Sequence, residues 1–276
     1  MKFITKGTIH VLMIVVLLLS FHHLGYASHG PDDLESIREW QRLNEFAEEA
    51  LFLLNKNEFE ATKKTLNDLS AHFLTLDTAK YLGQVEQVHV ILSTIVEAKE
   101  TLNKVEFDIK QAESKLLRMR LALDAVSHHQ QPLWINYYPS FVKTMDDLQY
   151  SLEHNNRDLF YHSINLLEKH FEMVRPSMYV SHPGSVVEKL HSQLVYLTTN
   201  KEELWREKDR AVDMLSSLEH DVNIAFLKKK EESLQSITLL IFGISTLILS
   251  VLSYVAWRKY RGERERRPIT WKKFMD

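Results

Sequence analysis

Apolar residues recur at helical spacing along most of the chain, and polar turns break the pattern at regular intervals. Leu34, Ile37, Leu43, Phe46, Ala50 and Leu54 form a first stripe, which ends at Asn55-Lys56-Asn57. Phe59, Leu66, Leu69 and Phe73 form a second. After Gly83, a third stripe runs through Val85, Val88, Leu92 and Ile95. Asn103-Lys104-Val105-Glu106 has a capping residue with a glutamate three positions on, which predicts a helix start. That fourth helix carries Leu116, Leu117, Leu121 and Val126, and ends before Gln130-Gln131-Pro132.

The series then repeats. Phe141 to Leu152 is a new first helix, and Asn155-Asn156 is its turn. Ile164, Leu167 and Phe171 lie on the second, which is expected to stop near Pro176. After His182-Pro183-Gly184 come Val187, Leu190, Leu194 and Leu197. Asn200-Lys201-Glu202-Glu203 repeats the start motif before Leu204, Ala211, Leu215, Leu218 and Val222. Local matches keep their order along both halves. At an offset of 98, Leu54, Asn57, Asn67, Leu69, His72 and Phe73 match Leu152, Asn155, Asn165, Leu167, His170 and Phe171. Val85, Glu86, His89 and Leu92 match Val187, Glu188, His191 and Leu194 at 102. Asn103, Lys104 and Glu106 match Asn200, Lys201 and Glu203 at 97, and Ala122 and Asp124 match Ala211 and Asp213 at 89. The expected fold is all-α: two copies of a four-helix unit, as a helical bundle or a short helix-pair array. Leu133, Trp134, Ile135, Tyr137 and Tyr138 are too apolar for a free linker, so the junction is expected to be a packed corner.

Two segments lack helical amphipathicity because they are apolar all round. Val11 to Leu19 is an unbroken apolar run, preceded by Lys2 and Lys6 and followed by Gly25-Tyr26-Ala27. This layout predicts a signal peptide over residues 1–27 with cleavage after Ala27, an uncleaved anchor being the alternative. Ile237 to Trp257 carries no charge and is long enough to cross a bilayer. Tyr254 and Trp257 stand at one end, and eight basic residues follow. The heavier positive flank belongs inside. The expected organisation is therefore helical units outside the membrane over 28–131 and 132–235, a transmembrane helix over 236–257, and a basic cytoplasmic tail over 258–276. The tail, RKYRGERERRPITWKKFMD, is expected to flank the span and touch anionic lipid.

Composition narrows the chemistry. None of the 276 residues is cysteine, which removes disulfides, thiolate metal sites and cysteine nucleophiles. Only Gly83 and Gly184 lie between residues 31 and 235, too few for a phosphate-cradling loop. Residues 28–235 hold 24 basic and 34 acidic residues, a balance that disfavours nucleic acid. The sharpest catalytic candidate is a di-metal carboxylate bundle. Glu86 and His89 form one Glu-x-x-His, Glu188 and His191 another, and Glu48/Glu49 and Asp146/Asp147 occupy matching places on the first helices. Against it, both pairs flank their stripes rather than lie on them, as ordinary surface pairs do. His128-His129 reads as a pH-sensing or metal pair, or more plainly as histidines satisfying a helix end. HExxH, GxSxG and SxxK with its partners are absent. No residue is assigned a catalytic, cofactor or metal role.

The stretch from Arg120 to Trp134, RLALDAVSHHQQPLW, resembles the middle motif of the YpjB family of sporulation proteins from endospore-forming Bacilli. The layout of signal peptide, helical exterior, C-terminal span and basic tail is similar as well. The resemblance implies a membrane protein associated with sporulation, and brings no enzymatic mechanism or site residue with it. The expected role is non-enzymatic: the exterior binds an unidentified protein as an adaptor. The alternative is a receptor that senses a ligand outside and passes a shift along one helix from Asn200 to Trp257.

Overall fold

The computed structural model describes residues 31–265, and the signal-peptide segment and the end of the basic tail lie outside them. The described residues are helical, with no strand among them. Contacts divide the chain into two compact units between Leu116 and Leu117, whereas the break in the chain used for the sequence division lies at Gln131.

The first unit opens with α1 (Pro31–Asn55), α2 (Phe59–Thr75), the single turn α3 (Thr78–Tyr81) and α4 (Val85–Asn103). It closes with the first part of α5 (Ile109–Ser127). Helices α1 and α2 pack as a hairpin, and α4 packs on α2. The core is Trp40, Leu43, Ala47, Ala50 and Leu54 from α1, Leu66, Leu69 and Phe73 from α2, and Ile91, Ile95, Ala98 and Leu102 from α4. Trp40 meets the edges of Phe73 and Tyr81 at 6.0 and 6.4 Å.

The second unit takes the rest of α5, a 3-10 turn (Leu133–Tyr137), α6 (Tyr138–Glu153), α7 (Arg157–Ser181), α8 (Gly184–Thr199), α9 (Lys201–Arg206) and α10 (Lys208–Glu265). Here α6 and α7 form the hairpin, α8 packs on α7, and α10 packs on both α6 and α8. One continuous core runs through Trp134, Phe141, Leu148, Phe160, Leu167, Phe171, Leu194, Leu218 and Phe226. Ala211, Leu215, Leu218, Val222, Ala225 and Phe226 are the face of α10 that this core buries. Further along the same helix, Ile241–Tyr260 is unburied, and its 20 residues are long and apolar enough to cross a membrane.

The hairpin turns explain why two polar dipeptides recur. Asn57 and Asn155 both hold the left-handed conformation, at φ 60° and 54°. After α1, Glu58 N–H donates to Leu53 O and Asn57 N–H to Leu54 O, the paired bonds of a Schellman cap. After α6, Asn156 N–H donates to Ser151 O in the same way. Asparagine tolerates this conformation better than other side chains because its amide hydrogen-bonds locally.

Four sequence expectations are corrected. On α4 the buried residues are Ile91, Thr94, Ile95, Ala98, Thr101 and Leu102, while Val85 and Leu92 are exposed. The offset of 102 therefore sets an exposed Val85 against a buried Val187. Burial instead pairs Ile91, Ile95 and Ala98 with Leu190, Leu194 and Leu197, and Ala112, Leu116, Met119 and Leu123 with Ala211, Leu215, Leu218 and Val222. Each of these buried pairs is 99 residues apart. Secondly, Asn103 ends α4 rather than starting a helix. Asp108 starts α5, its carboxylate accepting the Lys110 N–H at 2.9 Å. Thirdly, α7 passes through Pro176 to Ser181, because Val174, Pro176, Ser177 and Met178 are all buried and packing outweighs one lost backbone bond. Fourthly, the helix from Asn200 is broken at Glu207, and the uninterrupted one begins at Lys208.

Candidate functional site

The two Glu-x-x-His pairs lie in different units. On α7 and α8 the Tyr179 hydroxyl donates to Glu188, and Arg175 donates to His191 Nε2 at 3.2 Å. The His191 ring lies nearly parallel to Phe171, with centroids 6.1 Å apart. A guanidinium at the imidazole lone pair leaves that nitrogen no room for a cation. Burial and the bond to Glu188 push the Tyr179 phenol up to about 12. Glu172 joins the group by accepting from Arg175 at 2.8 Å. In the first unit, Glu86 and His89 stand exposed on α4. Glu48 and Glu49 are exposed on α1. Asp146 is exposed on α6, beside a groove shared with Met145, Gln149, Val212, Leu215, Ser216 and Glu219, and Asp147 is half-buried. Among the described residues no three His, Asp or Glu side chains gather as a metal-holding group.

Two other features carry functional weight. The first is the corner after α5, all within the second unit. Asp124 lies three residues before the helix end and is 3% exposed. An ionised carboxylate at that depth needs partners. Its Oδ1 lies 2.8 Å from His128 Nδ1, and its Oδ2 accepts the Leu133 N–H at 2.6 Å. Ser127 Oγ stands 3.0 Å from the same imidazole nitrogen. Pro132 is extended, and the next residues wind into the 3-10 turn. Trp134 then enters the core, fully buried, with its Nε1 donating to Ser181 Oγ at 3.0 Å. Its ring meets His182 at 5.6 Å and Phe226 at 4.9 Å, both edge-on. The Tyr138 hydroxyl donates to Asn223 on α10 at 2.8 Å.

The sequence marked His128-His129 as a pair, and the structure separates them. Both are exposed, but only His128 turns to Asp124 and Ser127 among the contacts described. Asp124 itself was missed, although it stands four residues before His128 on one helix face, a legible spacing. Ser181 and Phe226, distant in the chain, left no such mark.

The second feature is the exposed apolar stripe of α4. Val85, Leu92 and Val96 are 81%, 37% and 42% exposed. At about 100° per residue they fall along one line of the helix. Glu86 and Glu100 are exposed beside it. On α8, the positions that burial pairs with Leu92 and Val96 are His191 and Val195, so the central leucine is replaced by a histidine already bonded to Arg175.

Comparison with known proteins adds an independent line. A family model described as Sporulation protein YpjB (SpoYpjB) matches residues 40–268. A protein of Bacillus subtilis (strain 168), described as uncharacterized protein YpjB, is 22% identical over 220 residues, covering 79% of each chain. No solved structure matches.

Proposed function

The chain belongs to the sporulation protein YpjB family, and from that premise we propose that it is a membrane-anchored adaptor acting in sporulation. In this reading residues 1–27 are removed as a signal peptide. The two helical units lie outside the membrane as duplicated domains, the apolar part of α10 spans it once, and the basic tail lies inside against anionic lipid. The exterior binds an amphipathic, basic helix of a partner protein and performs no chemistry of its own.

The observation that carries the reading is the α4 stripe. An apolar line with Glu86 and Glu100 beside it, and with exposed His89 between Val85 and Leu92, suits a helix whose apolar face meets Val85, Leu92 and Val96 while its basic flank meets the two glutamates. The test is a photo-crosslinking residue at Leu92 in sporulating cells, with Phe52 on α1, also exposed, as the control site. The expected result is one protein adduct at Leu92 that is absent at Phe52 and lost in Val85→Glu and Val96→Glu. Equal labelling at both sites, or an adduct indifferent to those substitutions, overturns the stripe as the docking face.

A ligand-sensing receptor remains the second reading because α10 is one unbroken helix from the second unit's core to Ile241–Tyr260. A small ligand would raise the thermal midpoint of the exterior with the logarithm of its concentration once that exceeds the dissociation constant.

A further inference from the structure

Asp124 fastens a short strap to the last turn of α5. One oxygen engages His128 at the strap's start, and the other accepts the Leu133 N–H at its end. Fixing Leu133 fixes the residue after it, and Trp134 is the wedge that touches α10 at Phe226. Phe226 also meets Tyr138 at 5.5 Å and Phe141 at 5.1 Å. Tyr138 reaches α10 again through Asn223. The end of α7 joins through Ser181. Among the residues whose burial is described, Phe226 is the last buried position of α10.

From this geometry we propose that the corner is a conformational latch on α10, in which the strap held by Asp124 sets the position of the helix that continues into the membrane-crossing segment. Closely packed aromatic rings move between discrete arrangements rather than sliding continuously. A turn of α10 about its axis must withdraw Phe226 from Trp134, and that requires the strap to move. Conversely, a force that lifts the strap from Asp124 frees α10 at Asn223 and Phe226. Asp124 acts through Leu133 and Trp134, so it is a positioning residue. Its effect on α10 is expected to vanish once the wedge is gone.

The test is hydrogen–deuterium exchange of the full chain in lipid nanodiscs. Asp124→Asn and Trp134→Phe are each expected to speed exchange in residues 215–227 roughly tenfold, the size of losing one buried hydrogen bond. Residues 145–152 of α6 and 190–199 of α8 are expected to keep their rates. The double variant should add nothing to Trp134→Phe. Phe160→Leu, at a buried ring that packs on Trp205 instead, should leave residues 220–227 unchanged. Should Trp134→Phe fail to fold, Tyr138→Phe removes only the hydroxyl to Asn223 and takes its place beside Asp124→Asn. A uniform rise across the second unit, additive effects, or no change in α10 overturns the latch.

Discussion

The two units bury side chains at matching intervals and fill those positions with different volumes. Ala47 and Ala50 line the first core where Met145 and Leu148 line the second, and Ala98 stands where Leu197 does. The second unit adds Trp134, Phe141, Phe160 and Phe226, all fully buried, whereas the first packs Trp40 and Phe73 among leucines, isoleucines and alanines. The outer faces differ in the opposite sense. The first unit leaves Val85, Leu92 and Val96 in solvent, while on the second the matched face keeps Val195 exposed but places His191 where Leu92 stands, bonded to Arg175. Periodicity thus repeats more faithfully than packing or surface chemistry. One unit is built around a large aromatic core tied to α10, and the other offers an apolar face.

The largest expected effect is on the core volumes. Leu148→Ala should cost the second unit about 2–5 kcal/mol in denaturant unfolding, with amide protection in the first unit unchanged. The reciprocal change, Ala50→Leu, should cost the first unit about 1–3 kcal/mol, and a gain in stability instead would show that the smaller core has room to spare. Next come the turns. Asn57→Ala and Asn155→Ala should each cost about 1–2 kcal/mol, equally in the two units, because alanine resists the left-handed conformation. Unequal costs would separate the hairpins.

A smaller effect depends on pH. Burial, and then the Lys169 charge, hold His170 below its ordinary value of 6.5. The unfolded chain therefore takes up this proton first. The stabilisation is complete above 6.5 and is lost as pH falls from there through the lower folded value. His170→Gln should flatten that part of the second unit's stability profile, measured by thermal unfolding between about pH 7 and 5. The smallest effect is at the surface. Val96→Ser should change stability by no more than about 0.5 kcal/mol while removing the adduct crosslinked at position 92.

The sequence specified the local architecture well. The stripes located the main helices, Asn57 and Asn155 marked both hairpin turns, and Ile241–Tyr260, which takes in most of the apolar run near the C-terminus, stands unburied on α10. The stretch from Arg120 to Trp134 was visible as a motif, but the contacts Trp134 makes to Ser181 and Phe226 were not. Helical repeat, capping preference and the reluctance of most residues to enter left-handed backbone act over a few neighbours, so they can be read along the chain. The side of α4 that turns inward could not be read this way. Val85, Val88, Leu92 and Ile95 form as good an apolar line as Ile91, Ile95 and Ala98, and only the helix packed against α4 chooses between them. The same holds for Pro176, kept helical by its buried neighbours, and for Asp124, whose charge is matched by a backbone N–H nine residues on. Burial and pairing depend on groups brought together from distant parts of the chain, and those choices belong to the tertiary structure alone.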